Sequence, residues 1–444
     1  MGAASSSRPS SPDAGGAAAG GAPGFATALL LWWKLGWLSF GGPAAHIALM
    51  HSELVERRRW VPEAAFLHGL NYSMLLPGPE ATQLATYLGW RLHGLKGGVA
   101  AGALFVLPGA LVIGLLAWLY VSLGEVPAVS GVLLGLQAGV LAILVQAVLR
   151  IGRRVLTTPL AIGLAAGALL AIAVFSIPFP AIVAAAGVLG FVLGRVRPRW
   201  LPAVAAGGVA VAGEAQRHAR TGPGWVLAVA AACLLAWWLP VAGIAAWLGT
   251  GSTVFAQAIF FSKAAVVTFG GAYAVLPYVA QQAVEVHQWL QPGQMMVGLG
   301  LAETTPGPLI LVLQFVGFVG GWQQPDLPLP LASAVLAAAV TSWVTFVPSF
   351  LFVLPVAPWI ERLREWPLAS AALGAVTAAV VGVIVNLGLW FGWQLFSTGA
   401  VGGRLFAALL ALAALWGLMR RGWSILRVVP ACALAGLAYG LWVA

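Results

Sequence analysis

Charged side chains are scarce in this chain, and this scarcity excludes a soluble globular protein. Only 8% of the 444 residues are Asp, Glu, Lys or Arg, whereas 61% are apolar. An ordinary soluble domain has about 25% charged and about 45–50% apolar residues. The composition therefore predicts a membrane protein whose helices cross the bilayer many times.

Cysteines and catalytic patterns are also few. Cys233 and Cys432 both lie within apolar stretches, which is typical of packing residues and not of a disulfide, a zinc site or a redox pair. The sequence contains no Ser/His/Asp or Cys/His set, no metal-ligand spacing and no phosphate-binding loop. We therefore predict a protein that is not an enzyme and that binds no metal or cofactor.

Basic residues outnumber acidic ones, with 22 Lys and Arg against 12 Asp and Glu and a formal net charge of +10. They form short clusters between apolar segments, such as Arg57–Arg59, and do not form the single stripe expected for nucleic-acid binding. Cytoplasmic loops of membrane proteins are enriched in this way. We predict contact with a lipid bilayer and no nucleic-acid partner.

Thirteen apolar segments are long enough to enter or cross a bilayer, at about 20 residues per spanning helix. Before them, residues 1–22 lack the basic and apolar regions of a signal peptide, and we predict a disordered tail there. The apolar segments are 25–50, 63–90, 99–120, 128–149, 157–175, 180–195, 225–248, 254–283, 293–320, 331–354, 368–395, 404–418 and 424–442.

The chain contains an internal repeat with an offset of 229 residues, the difference between Lys263 and Lys34. Coincidence of rare residue types without a gap indicates a duplication. The matches are Lys34 with Lys263, Phe40-Gly41-Gly42 with Phe269-Gly270-Gly271, Glu56 with Glu285, Trp60 with Trp289, and Pro77-Gly78-Pro79 with Pro306-Gly307-Pro308.

The repeat divides the chain into parts. We predict a first repeat at 23–200, a basic cytoplasmic linker at 201–224, an extra transmembrane helix at 225–252 and a second repeat at 253–444. Six elements per repeat plus the extra helix would start the second repeat on the opposite membrane face. The repeats would then be inverted, and the loss of the Arg57–Arg59 cluster in the second repeat agrees with this.

The Phe-Gly-Gly and Pro-Gly-Pro motifs interrupt apolar segments, because Pro lacks an N–H and Gly has low helix propensity. The interrupted segments either cross the membrane or re-enter it as hairpins, and the sequence leaves both arrangements open. A helix that begins after Pro-Gly-Pro presents free N–H groups and a positive dipole end, which suit an anion. A simple kink is the alternative. Two motifs repeated in register favour a binding site.

Few charged residues lie near these motifs. Lys34 and Lys263 each lie six residues before a Phe-Gly-Gly motif, and we predict that they neutralise a divalent anion. Glu80 and Glu303 flank the Pro-Gly-Pro motifs and are predicted coupling residues.

The surroundings of the two Pro-Gly-Pro motifs differ in the sequence. Thr304 and Thr305 offer hydroxyl groups beside the second motif, whereas Leu75 and Leu76 precede the first. We therefore expect the first site to be less polar than the second.

At these motifs the chain resembles the chromate ion transporter family, specifically its long members with two repeats. The resemblance covers nearly all of the chain after the tail. Besides the Gly motifs, it includes Leu107-Pro108 in the first half, and Phe269-Gly270-Gly271-Ala272-Tyr273, Leu276-Pro277 and Phe346-Val347-Pro348 in the second. About eleven extra residues before the last motif, including Gln324-Pro325-Asp326, are predicted to form a loop.

The resemblance implies export of chromate across the bacterial inner membrane, with sulfate as a structural mimic and a homodimer as a family-level expectation. Two alternatives stay open. Lysines and helix N-termini do not distinguish equal-sized dianions, so the chain could carry sulfate or another oxyanion. A membrane-embedded chromate reductase is disfavoured by the missing cofactor motif and the apolar setting of both cysteines.

Overall fold

The computed structural model describes residues 23–123, 127–196, 222–362, 367–397 and 400–443. This part of the chain consists of α-helices with short π and 3-10 turns and contains no strand. Eight of its helices are long and apolar enough to cross a membrane. The all-α polytopic prediction is thus confirmed. The predicted tail at 1–22 and nearly all of the linker at 201–224 lie outside the described residues.

The first repeat contains seven helices within the described ranges. They are α1 (Phe25–Leu38), α2 (Pro43–His51), α3 (Glu63–Leu75), α4 (Glu80–Leu123), α5 (Pro127–Val155), α6 (Pro159–Ala173) and α7 (Phe179–Val196). The longest of them, α4, is bent near its first third.

Helix α8 (Pro223–Leu248) precedes the second repeat and contacts it. The Trp237 indole of α8 donates a hydrogen bond to the Ser262 hydroxyl of the second repeat at 3.1 Å. The described helices of the second repeat are α9 (Thr253–Val267), α10 (Ala272–Gln281), α11 (Pro292–Thr304), α12 (Val312–Gln323), α13 (Pro330–Val353), α14 (Pro367–Ser397), α15 (Val401–Arg420) and α16 (Ile425–Val443).

Each Phe-Gly-Gly motif is the tip of a helical hairpin. The rings of Phe260 and Tyr278, nine residues to either side of Phe269, lie 5.2 Å apart. In the first repeat, Gly36 of α1 packs on Leu104 of α4, and the His46 ring of α2 lies 5.7 Å from the neighbouring Phe105 ring. In each repeat, the helix after the Phe-Gly-Gly motif therefore folds back beside the helix before it.

Backbone conformation at these tips requires glycine. The four motif glycines, Gly41, Gly42, Gly270 and Gly271, have φ angles between +80° and +93°. Residues with a Cβ are strained at positive φ angles, so glycine permits the chain to reverse its direction at the hairpin tip.

Each Pro-Gly-Pro motif is also a hairpin tip. Gly69 packs on the Tyr87 ring, and Gly298 packs on the Phe315 ring. Members of each pair lie eight or nine residues from the central glycine, so a continuous helix would separate them by about 25 Å. The observed contact shows that α3 folds back on α4, and α11 on α12. Four of the predicted apolar segments are thus divided into two arms each.

After its first arm, α4 turns back at His93 and Gly94, where φ is −140° and +62°. In the second repeat a loop between α12 and α13 replaces this turn and holds the extra residues. Its Asp326 carboxylate accepts hydrogen bonds from the N–H groups of Thr253 and Val254 at 2.9 and 2.8 Å. The Pro-rich stretch is therefore a loop, and it caps the first turn of α9.

The repeats are inverted relative to each other. Helices α5 and α14 begin at Pro127 and Pro367 and are equivalent in the two repeats. They run antiparallel, because Leu144 lies against Gly388 while Gly152 lies against Val381. Equivalent membrane-length helices that run antiparallel have opposite orientations across the bilayer.

The last helices of each repeat pack on the long helix of the other repeat. Gly190 of α7 contacts Ala375 of α14, and Gly135 of α5 contacts the backbone of Cys432 in α16. Cys432 is buried and lies at this helix contact, in agreement with a packing role. The exchange of terminal helices ties the two repeats into one core.

Candidate functional site

The four hairpin tips meet in pairs, and each pair combines one motif from each repeat. The Gly78 N–H donates to the Thr268 carbonyl at 2.7 Å, and the Gly307 N–H donates to the Ser39 carbonyl at 2.7 Å. These two bonds are equivalent under the 229-residue offset. We name the contact of Pro77–Pro79 with Thr268–Gly271 the first crossing. The contact of Pro306–Pro308 with Ser39–Gly42 is the second crossing.

Helix ends converge at both crossings. At the first, α3 and α9 end while α4 and α10 begin; at the second, α11 and α1 end while a 3-10 turn and α2 begin. The beginning helices offer N–H groups to an anion, and the ending helices offer carbonyl oxygens to a cation. The structure therefore brings all four predicted motifs together at two crossings where helices both begin and end.

A third element supports each crossing, and it comes from the repeat that does not supply the Pro-Gly-Pro motif there. Gly109, after Leu107-Pro108, packs so closely that a Cβ on it would lie 2.2 Å from the Pro306 carbonyl oxygen. Ser349 follows Phe346-Val347-Pro348 and occupies the equivalent place at the first crossing. Its Oγ lies 3.6 Å from the position of a Cβ on Gly78. Sequence reasoning missed both residues, although each directly follows a family motif.

A buried carboxylate links the two hairpins of the second repeat. The Tyr273 hydroxyl donates to Oε1 of Glu303, and both side chains are buried. Arg150 of α5 lies within electrostatic reach of both residues. The equivalent positions in the first repeat are Ala44 and Met74, which cannot form this bond. Tyr273 was part of the family motif but was not among the predicted site residues.

The second carboxylate lies at the first crossing. Oε1 of Glu80 is 3.7 Å from the position of a Cβ on Gly271. Arg154 of α5 lies within electrostatic reach of Glu80. Two arginines of α5 thus lie within electrostatic reach of the two predicted coupling carboxylates.

The structure shows which polar side chains lie at the two crossings. Hydroxyl groups of Thr304 and Thr305 donate to carbonyls of their own helix, Leu301 at 2.9 Å and Ala302 at 3.0 Å. Their protons are therefore used within α11. At the first crossing, Gln83 and Ser349 are polar and buried. The first crossing thus contains buried polar side chains as well, and the sequence could not place Ser349 there because this residue comes from the other repeat.

The two predicted lysines do not lie at the hairpin tips. Lys34 and Lys263 are exposed on α1 and α9, six residues before the tip, which is about 9 Å along a helix. Lys263 lies within electrostatic reach of His287. The structure thus joins the Gly and Pro motifs and leaves the lysines on outer faces.

Comparison with known proteins identifies relatives across most of the chain. The family model described as chromate transporter matches residues 26–191 and 255–437, one region in each repeat. A chromate transport protein of Pseudomonas aeruginosa is 32% identical over 91% of this chain and 89% of its own length. A chromate transport protein of Cupriavidus metallidurans is 29% identical over 80% and 79%.

A probable chromate transport protein of Synechococcus elongatus is 28% identical over 81% of this chain and 83% of that protein. No solved structure matches the chain significantly. With its two matched repeats and membrane-length helices, the chain belongs to the chromate transporter family, a family of multi-pass membrane proteins that transport ions.

Proposed function

We propose that this protein is a secondary active transporter that exports chromate across the bacterial inner membrane. The names of its relatives support chromate as the substrate. Sulfate, a dianion of similar shape, is the proposed competitor. A homodimer in the inner membrane is part of the same proposal and rests on the family resemblance.

The observation that carries this proposal is the pair of equivalent hydrogen bonds between hairpin tips of opposite repeats. Inverted repeats with broken helices can exchange conformations and thereby open a central site to either side. The two repeats differ here: Tyr273 and Ala274 at the start of α10 are buried, whereas Ala44 and Ala45 of α2 are exposed. Such asymmetry is expected of a transporter that is open to one side.

The dianion would bind at helix N-termini beside the crossings. Peptide N–H groups of Gly41, Gly42, Gly270 and Gly271 and the helices after the Pro-Gly-Pro motifs are the proposed ligands. Lys34 and Lys263 would act from a distance of about two helical turns, and solvent would screen part of their attraction for the dianion.

Glu80 and Glu303 are the proposed coupling residues. Glu303 is buried within the second repeat, and Glu80 lies at the first crossing, so both are close to groups that would move during alternating access. Intramembrane carboxylates are costly and commonly mark ion pathways.

Everted membrane vesicles test the proposal. Energised vesicles that contain the protein should accumulate labelled chromate without reducing Cr(VI), and excess sulfate should slow this uptake. Vesicles prepared in the same way from cells that lack the protein are the matched control. Reduction of Cr(VI) would favour an enzyme, and equal movement of chromate with and without the protein would reject the transporter.

A further inference from the structure

The first crossing contains buried oxygen atoms whose hydrogen-bonding capacity is unused. Ser349 and Gln83 are 1% and 0% exposed. Within the described ranges of the chain, Oγ of Ser349 and Oε1 of Gln83 have no hydrogen-bond partner. Buried polar atoms normally have one, so these two atoms are free to bind a ligand at the first crossing.

The orientation of Gln83 is fixed by its other amide atom. Its Nε2 donates to the Pro77 carbonyl at 2.6 Å and lies 3.0 Å from the position of a Cβ on Gly78. The amide oxygen is therefore the free atom, and it can only accept. An anion has no proton to donate to this oxygen.

A carboxylate lies at the same crossing. Glu80, three residues before Gln83 on the first turn of α4, approaches Gly271 of the opposite repeat. Helices α3 and α9 also end here, and their last carbonyls are acceptors. Arg154 of α5, the cation within electrostatic reach of Glu80, forms no direct ion pair with it in the described part of the chain.

At the second crossing these side chains are absent. The positions equivalent to Glu80, Gln83 and Ser349 are Leu309, Val312 and Gly109. Leu309 and Val312 are buried, and Gly109 packs directly on the Pro306 carbonyl. The set of oxygens is therefore specific to one crossing and is not required by the shared hairpin fold.

We propose that the first crossing binds a sodium ion through Glu80, Gln83 and Ser349, together with carbonyl oxygens of the helices that end there, and that this ion couples to anion transport. Hard cations bind oxygen ligands of this type, and ends of broken helices coordinate Na⁺ in transporters. One carboxylate balances one monovalent charge. The inference rests on the proposed transport function and specifies its coupling ion.

Thermal unfolding of the purified full-length protein tests binding without transport. NaCl is titrated against choline chloride at constant ionic strength and without chromate. Na⁺ should raise the melting temperature of the unchanged protein by on the order of 2–4 °C at saturation. In Glu80→Gln and Ser349→Ala the Na⁺ concentration for half the shift should rise at least about tenfold.

Ser333→Ala is the matched control, because Ser333 is a buried serine on the same helix whose hydroxyl accepts from the Asp326 N–H at 3.0 Å. It should keep the Na⁺ response. Ser349→Ala removes a single hydroxyl from a helix interior, so it remains informative if Glu80→Gln fails to fold. Equal responses of Ser349→Ala and Ser333→Ala would remove Ser349 from the site and overturn the proposal.

Chromate flux in proteoliposomes separates the two proposals. Flux that depends on a Na⁺ gradient, together with Na⁺ stabilisation, supports the sodium site. Chromate flux that responds to a pH gradient and not to Na⁺, without Na⁺ stabilisation, overturns it while transport stands. Stabilisation by Na⁺ without any chromate flux would support the ion site and reject chromate transport.

Discussion

At the residue scale, the bond between Tyr273 and Glu303 is open to a direct test. Tyr273→Phe keeps the ring and removes the donor, leaving a buried carboxyl group without its partner. An unsatisfied buried group costs about 1–3 kcal/mol. We expect a lower melting temperature and slower chromate flux. Differential scanning fluorimetry and vesicle uptake measure the two effects.

Tyr278→Phe controls for the loss of a tyrosine hydroxyl on the same helix. Tyr278 lies in an aromatic cluster with Phe179 and Phe260. Its substitution should change stability and flux much less. If both Tyr variants behave alike, the Glu303 bond has no special role.

The second prediction at this scale concerns the positive charges of Lys34 and Lys263. Lys→Gln at either position should raise the KM for chromate about threefold to tenfold, because the distant cation stabilises the dianion electrostatically and solvent screens part of the effect. Initial uptake rates at matched protein abundance measure it. Lys96→Gln, which removes an exposed lysine outside the motifs, should leave KM unchanged.

Unchanged KM in both lysine variants would remove these residues from the substrate path. Their spacing from the motifs was visible in the sequence. Their exposed position was not, since the face of a broken helix that meets its neighbours depends on how the hairpin folds back. The same limitation hid Ser349, whose contact with Gly78 joins residues far apart in the chain.

At the element scale, the Pro-Gly-Pro tips depend on glycine. Gly307 has a φ of +88°, and a Cβ there would lie 3.2 Å from Leu311. A residue with a Cβ in this conformation costs about 1–2 kcal/mol. Gly307→Ala should therefore lower the melting temperature and suppress chromate flux, both measurable on protein purified in detergent and then reconstituted.

Gly163→Ala is the matched helix control, because a Cβ on Gly163 of α6 meets nothing within 4 Å. Alanine has the higher helix propensity, so this variant should be neutral or slightly stabilised. Full flux in Gly307→Ala would show that the tip conformation is not needed for transport.

Much of this level of organisation followed from the sequence. Proline and glycine chemistry located the four breaks, and the repeat offset located their equivalents. Hairpins and straight but broken helices have the same local pattern, so the contact of Gly69 with Tyr87 was needed to separate them. The exchange of tips between repeats is a long-range arrangement that no local pattern encodes.

At the scale of the whole molecule, the inverted repeats predict opposite accessibility of equivalent residues. Glu56 and Glu285 are equivalent and exposed, and they lie within matching π-helical turns, Ser52–Arg57 and Gln282–Val286. Within the first turn, the buried Glu53 carboxylate binds the side chains of Arg57 and Arg58. The second turn lacks the basic cluster.

Cysteine labelling of intact cells tests this arrangement. In a background with Cys233→Ser and Cys432→Ser, an impermeant maleimide should label Glu285→Cys from outside and should label Glu56→Cys only after the membrane is permeabilised. Basic clusters stay on the cytoplasmic side, and inversion places the equivalent turn outside. Labelling of both positions from the same side would contradict inversion, whereas labelling of residue 56 alone from outside would preserve inversion and reverse the orientation of the whole protein.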